Sequence, residues 1–242
     1  MSWLDIFSYV RDYLFPPICL VCGSRETYRR EHLICEACID SISLIRHPFC
    51  IHCGKPFLTE SDRDHLCGDC LTQKSYLTIV RALGKYEGVL QKLIHQFKYK
   101  QQFAVSNILE FLLDGYQKKD INFCSYNFSV PVPLHRSRLR QRGFNQSVLW
   151  GKILEKKYNL PLKRMVLQRI VCTPPQIALR GKERKNNVRN AFKVKNSELV
   201  NGKTILLLDD VYTTGATMNE CARVLKKAGA FRVDGFVIAR AG

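Results

Sequence analysis

The spacing of apolar residues changes along the chain and divides it into three regions. From residue 126 onward, short apolar runs alternate with helical repeats. Residues 128–133 read as a strand and 146–158 as a helix. Residues 204–208 (Thr-Ile-Leu-Leu-Leu) form the unbroken apolar run of a strand buried on both faces. Residues 218–228 read as a helix ended by Gly229, and 233–239 as a further strand. This order predicts an α/β domain over 126–242, with a mostly parallel sheet and helices on its faces. Residues 76–125 read as a connecting segment packed on that domain. A strand-like run at 80–86 leads into a helix with Leu90, Leu93, Ile94 and Phe97 on one face. A second helix carries Val105, Ile108, Leu109 and Leu112 in the same way. Residues 1–75 are rich in turns and offer little core. Their one helical pattern is Trp3, Leu4, Ile6, Phe7, Val10, Leu14 and Phe15, read as a docking helix over 1–17. Asp5, Arg11 and Asp12 interrupt it where a signal peptide would be apolar, and no run reaches membrane-spanning length. The expectation is a cytoplasmic protein without stable membrane insertion.

Cysteine use turns the first region into a metal-binding module. Eight of the eleven cysteines fall in four Cys-x-x-Cys pairs: Cys19/Cys22, Cys35/Cys38, Cys50/Cys53 and Cys67/Cys70. Two such turns supply four thiolates in a tetrahedron, so four pairs predict two structural zinc ions with no open coordination position. Spacing leaves sequential and interleaved pairing both open, and His32, His52 and His65 lie close by. Gly23, Gly54 and Gly68 follow cysteines and suit tight knuckles. A segment this small gains much of its fold from the metal.

Charge is as uneven as cysteine. Residues 1–75 carry 8 Lys/Arg against 10 Asp/Glu, whereas residues 76–242 carry 30 against 11, a net of +19. A surface that basic attracts polyanions, either nucleic acid or phosphorylated small molecules.

The sharpest chemical signal is residues 204–217. An apolar strand is expected to end in Asp209 and Asp210. A loop of Val211, Tyr212, Thr213, Thr214, Gly215, Ala216 and Thr217 then enters a helix. Free N–H groups at a helix start, three threonine hydroxyls and a glycine that admits close approach suit a phosphate. The two carboxylates suit ribose hydroxyls at the carboxyl end of a strand. A threonine cap alone needs one threonine and leaves the acid pair unexplained. Gly-x-x-x-x-Gly-Lys is absent, so this is no Walker loop. Upstream, Arg136, Arg138, Arg140 and Arg142 crowd beside His135 after the strand at 128–133, with Gly143 and Asn145 at the turn into the next helix. Guanidinium groups bind phosphates in bidentate fashion. Residues 173–192 read as a basic loop, a lid or a nucleic-acid surface, with Gln176, Arg184 and Asn187 as its test positions. Lys98 to Lys100 extend the basic surface.

The four apolar residues, two acids and Thr-Thr-Gly-x-Thr loop resemble the signature of type I phosphoribosyltransferases. That resemblance implies the type I phosphoribosyltransferase fold. It places the ribose of phosphoribosyl pyrophosphate on Asp209 and Asp210 and its 5′-phosphate on Thr213 to Thr217. It also implies magnesium with the pyrophosphate, and makes Arg138 and Arg142 pyrophosphate ligands in the loop after the earlier strand. Across nearly the whole chain, the doubled four-cysteine module, Tyr86-Glu-Gly with Phe97-Lys-Tyr, Val130-Pro-Val-Pro with Arg142-Gly-Phe-Asn-Gln, Thr173-Pro-Pro-Gln and Asn187-Val resemble the ComF family. The family resemblance implies a double zinc ribbon joined to that fold, and a cytoplasmic role in natural transformation. There it would help bring single-stranded DNA inward alongside the ComFA helicase and other competence proteins. Phosphoribosyl transfer to an acceptor is an open alternative, as is a zinc-stabilised adaptor for the helicase.

Overall fold

A computed structural model describes residues 18–25, 28–29, 34–57, 63–99, 104–116, 120–171 and 188–242. The expected 1–17 helix, His32, Lys100 and the test positions Gln176, Arg184 and Asn187 lie outside the described residues.

The elements run β1 (Tyr28–Arg29), β2 (Ile34–Cys35), α1 (Glu36–Asp40), α2 (Gly68–Thr72), β3 (Val80–Lys85), α3 (Gly88–Tyr99), α4 (Ala104–Asp114), β4 (Phe128–Pro131), α5 (Arg136–Arg142), α6 (Gln146–Tyr158), β5 (Leu167–Arg169), β6 (Phe192–Val194), β7 (Thr204–Tyr212), α7 (Ala216–Lys227) and β8 (Arg232–Arg240). Four strands form one parallel sheet in the order β3-β8-β7-β4. The two central strands are its most apolar. Ile205 to Leu208 of β7 and Val233, Phe236 and Val237 of β8 are wholly buried, because helices cover both faces.

Alternate residues of each strand feed two cores. One face gathers Leu83, Leu206, Leu208, Phe236 and Ile238 under α3, α4 and α6. The expected stripes form its floor: Leu90, Leu93, Ile94 and Phe97 from α3, and Val105, Ile108, Leu109 and Leu112 from α4. Trp150 of α6 stacks on Phe236 with ring centroids 5.5 Å apart. The other face gathers Val80, Ala82, Val130, Ile205, Leu207, Val233 and Val237 under α7 and the antiparallel pair β5-β6.

The cysteine-rich region wraps the β3 edge. Ile45 N–H donates to the Leu83 carbonyl at 3.0 Å and Lys85 N–H to the Ser43 carbonyl at 2.8 Å, with Leu44 bridging Gly84 antiparallel. The edge strand is thus covered by chain rather than left open to pairing. On either side of this bridge a zinc ribbon joins one core. Cys19, Ile34, Cys35, Cys38 and Ile42 pack with the α3 face, and Cys50, Cys53 and Cys67 with the α7 face. Gly54, at φ +66°, sits where a Cβ would lie 2.8 Å from the Val80 carbonyl, so its knuckle presses directly on β3. Gly23 likewise has positive φ, but Gly68 does not: it opens helix α2, a correction to its reading as a knuckle glycine.

Two further readings are corrected. The strand expected to end in Asp209 and Asp210 runs on through Val211 and Tyr212, because these two pair with Ala239 and Arg240 of β8. The arginine segment expected as a loop is a short helix, α5, capped by the His135 side chain and ended by Gly143 in the left-handed region at φ 77°.

Candidate functional site

The carboxyl ends of β7 and β4 and the starts of α6 and α7 meet around a cavity of about 570 Å³. Asp209 and Asp210 stand at its base. The Asp209 carboxylate accepts from Ser147 Oγ at 3.2 Å and from the Asp210 N–H at 2.9 Å. Asp210 pairs with the Lys98 ammonium at 2.8 Å, both side chains largely buried. Burial, then the neighbouring Asp210 charge, pushes the Asp209 carboxyl up to about 7, against the opposing pull of the Asp210 N–H and Lys98. Burial pulls the Lys98 ammonium down, but the charge of Asp210 outweighs it, with Asp209 adding to the effect, and holds Lys98 above its ordinary value.

The loop expected to hold a phosphate forms the next wall. Val211, Tyr212, Thr213, Gly215, Ala216 and Thr217 line the cavity. Thr214 does not line it; its hydroxyl accepts from the Ala216 N–H at 3.4 Å and so caps the turn. Gly215 is the N-cap of α7 at φ 73°. A Cβ there would fall on the Tyr212 phenol, so the turn requires glycine twice over. The first turn of α7 presents its N–H groups and the positive end of the helix dipole to the cavity.

Helix α5 supplies the opposite wall. Arg138 and Arg142, one turn apart, line the cavity, whereas Arg136 and Arg140 face solvent. Helical periodicity thus sorts four adjacent arginines into two faces. Asn145 fixes the junction: its Oδ1 accepts from the Ser147 N–H and its Nδ2 donates to the Val132 carbonyl, both at 3.0 Å. That places Ser147 beside Asp209.

Three cavity residues escaped the sequence reading. Lys98, assigned to an outer basic surface, instead lies in the cavity on Asp210. Its only signal was its place on the polar side of an amphipathic helix. Ser147 and the buried Arg169 of β5 also line the cavity, and nothing in their local sequence marks them. The Lys98 contact carries a prediction. Replacing Lys98 by Met leaves two adjacent buried carboxylates without their cation, which costs about 2 kcal/mol at pH 8. The loss is smaller at pH 5, where Asp209 is protonated. Thermal unfolding at the two pH values checks it; equal losses would remove Lys98 from the electrostatics of the acid pair.

The cysteines form two clusters, Cys19/Cys22/Cys35/Cys38 and Cys50/Cys53/Cys67/Cys70, with all sulfurs of a cluster within 4.8 Å of one another. The pairing is therefore sequential. A zinc ion about 2.3 Å from four sulfurs sets them ~3.8 Å apart, and the Cys22–Cys35 and Cys53–Cys67 sulfurs stand 3.6 and 3.7 Å apart. Backbone N–H groups already point at the sulfurs: Val21 and Cys35 at Cys19, and Cys53 and Cys67 at Cys50, each at 3.4 Å. Burial raises the Cys19 thiol, but these N–H groups and that of Cys22 more than reverse it, taking it down to about 6. His52 and His65 do not replace a cysteine: His52 Nε2 donates to the Leu77 carbonyl at 3.0 Å while its Nδ1 lies 3.5 Å from the Cys70 sulfur, and His65 stacks on Phe57. The clusters fit two structural zinc ions. Among the described residues no helix is long and apolar enough to cross a membrane.

Two family models match parts of the chain. Residues 10–71 match the double zinc ribbon domain family and residues 160–242 the phosphoribosyl transferase domain family. Competence protein F of Haemophilus influenzae is 31% identical over 215 residues, covering 86% of this chain and 90% of that protein. The DNA utilization protein YhgH of Escherichia coli K12 is 29% identical, covering 93% of this chain and 97% of that protein. Competence protein ComFC of Bacillus subtilis is 27% identical, covering 92% and 95%. End-to-end likeness to these relatives, two sequential four-cysteine clusters and the acid pair beside a threonine-glycine loop make the chain a member of the ComF family.

Proposed function

We propose that the chain is a competence protein that binds phosphoribosyl pyrophosphate in the β7–α7 cavity and handles single-stranded DNA through its basic domain. The observation that carries the ligand is the meeting of three chemistries in one cavity: the acid pair, the α7 N-terminus, and Arg138 with Arg142. In this reading Asp209 and Asp210 accept hydrogen bonds from the ribose hydroxyls. The N–H and hydroxyl groups of residues 213–217 hold the 5′-phosphate. Arg138 and Arg142 receive the pyrophosphate. Magnesium bound with the pyrophosphate would screen its charge, and Asp209 and Asp210 are the hard oxygen donors at hand. The cavity is of the size that encloses a small ligand.

The DNA-handling part rests on the relatives, named for competence and DNA utilization, and on the net +19 of residues 76–242. Cytoplasmic action beside the ComFA helicase belongs to the same reading. Phosphate contacts release counterions, so binding to single strands weakens with salt by a slope of about −0.7 per contact. Roughly four contacts predict about fifty-fold weaker binding at 200 than at 50 mM salt. Fluorescence anisotropy with a labelled oligonucleotide measures it, and binding indifferent to salt would sink this part. Calorimetric titration with phosphoribosyl pyrophosphate and magnesium tests the pocket. Pyrophosphate release on adding an acceptor would extend binding to transfer. Zinc-dependent capture of the helicase with neither ligand bound would leave an adaptor.

A further inference from the structure

The Arg240 side chain links the second zinc ribbon to the phosphate loop. Arg240, on β8, is buried, and its Nη2 donates to the Cys53 sulfur at 3.1 Å. The same guanidinium lies over the Tyr212 ring, 5.2 Å from its centroid. Tyr212 in turn occupies the space against Gly215, the N-cap of α7. Its Cα is paired with that of Arg240 across β7 and β8. Cys50, Cys53, Cys67, Tyr212 and Ala216 belong to one packed core.

We propose that Arg240 is a positioning residue that ties zinc occupancy of the second ribbon to the shape of the phosphate loop. A zinc ion held by four thiolates is a formally dianionic centre. Its natural counter-charge in this core is the Arg240 guanidinium, which hydrogen-bonds one of those thiolates. With the guanidinium so fixed, its flat face holds the Tyr212 ring. The ring then holds the turn at Gly215, from which the N–H groups of α7 face the cavity. Loss of zinc releases the four sulfurs from a fixed tetrahedron, so the Cys53 sulfur no longer anchors the guanidinium and the ring loses its support. Part of this inference, the effect on ligand affinity, rests on the proposal that the cavity takes phosphoribosyl pyrophosphate; the effect on the loop does not.

Reciprocity gives the test. If zinc at the second site favours the ligand, the ligand must favour zinc there by the same factor. In the full-length wild-type protein, phosphoribosyl pyrophosphate should slow extraction of one of the two zinc ions by a chelating dye. Arg240→Met, retaining two zinc ions per chain, should abolish that protection and weaken ligand binding about tenfold by calorimetry. Amide exchange of residues 213–217 should quicken about tenfold in the variant, with Ile153 and Leu154 of α6 unchanged. If the wild type binds no phosphoribosyl pyrophosphate, the functional reading fails while loop exchange still decides this one. Arg240→Met with wild-type exchange in residues 213–217 overturns the coupling, as does ligand protection of zinc that survives the substitution.

Discussion

Stripping both zinc ions with a strong chelator is expected to lower the midpoint of thermal unfolding by about 10–20 °C, reversibly on adding zinc back. The size follows from where the cysteines are. They are not confined to a peripheral module. Cys19, Cys35 and Cys38 pack into the core under α3, and Cys50, Cys53 and Cys67 into the core under α7. A structural zinc site contributes its binding energy to folding. If only about 5 kcal/mol of it reaches the whole molecule, the shift for a chain of this size is of the stated order. Scanning calorimetry with parallel metal analysis provides the check. A metal-free protein that unfolds at the temperature of the zinc-loaded one would show that the ribbons contribute nothing to the cores they enter.

Asp209→Asn, which keeps the Asp210–Lys98 ion pair, should abolish detectable binding of phosphoribosyl pyrophosphate, at least a hundredfold, while making the protein more stable. The two effects share one cause. The folded Asp209 carboxyl titrates near 7 because burial and the Asp210 charge oppose its ionisation. An unfolded aspartate ionises near 4. Between those values the native state holds a proton that the unfolded state has released, so stability falls as pH rises through this window and levels off above it. Asparagine at 209 removes that slope. The gain over wild type should be small at pH 5 and on the order of 2 kcal/mol at pH 8. Paired titration calorimetry and denaturant melts at the two pH values separate the effects. A variant that still binds the ligand would take Asp209 out of the site, and one equally stabilised at both pH values would deny the strained ionisation.

Periodic signals reached the structure nearly intact. The α3 stripe at Leu90, Leu93, Ile94 and Phe97 is buried to 1% exposure or less, as a helix facing a core must be. The unbroken run at 205–208 is a central parallel strand, for which continuous apolarity is the mark. Four-cysteine sites were legible because ligand chemistry allows few alternatives, yet their sequential pairing needed coordinates. What failed depends on contacts across the chain. Strand β7 outruns its apolar run because β8 offers backbone partners to Val211 and Tyr212, whatever their side chains. Lys98 meets Asp210 only because α3 crosses the end of the sheet. Strands β5 and β6 are three residues each, too short for any alternation to register.

The sheet order has a consequence for how the chain is made. Strand β3 finds its permanent partner in β8, and Val80 waits for Gly235. Vectorial synthesis therefore presents an unpaired apolar strand long before its mate has left the ribosome. The ribbons emerge first, close over short loops, and carry Ser43 and Ile45, which bond the outer side of β3. Zinc loading of the nascent chain would thus shield one side of that strand during the wait. The folding step left for last is the insertion of β8 between two strands already in place, a nonlocal event and the expected slow one.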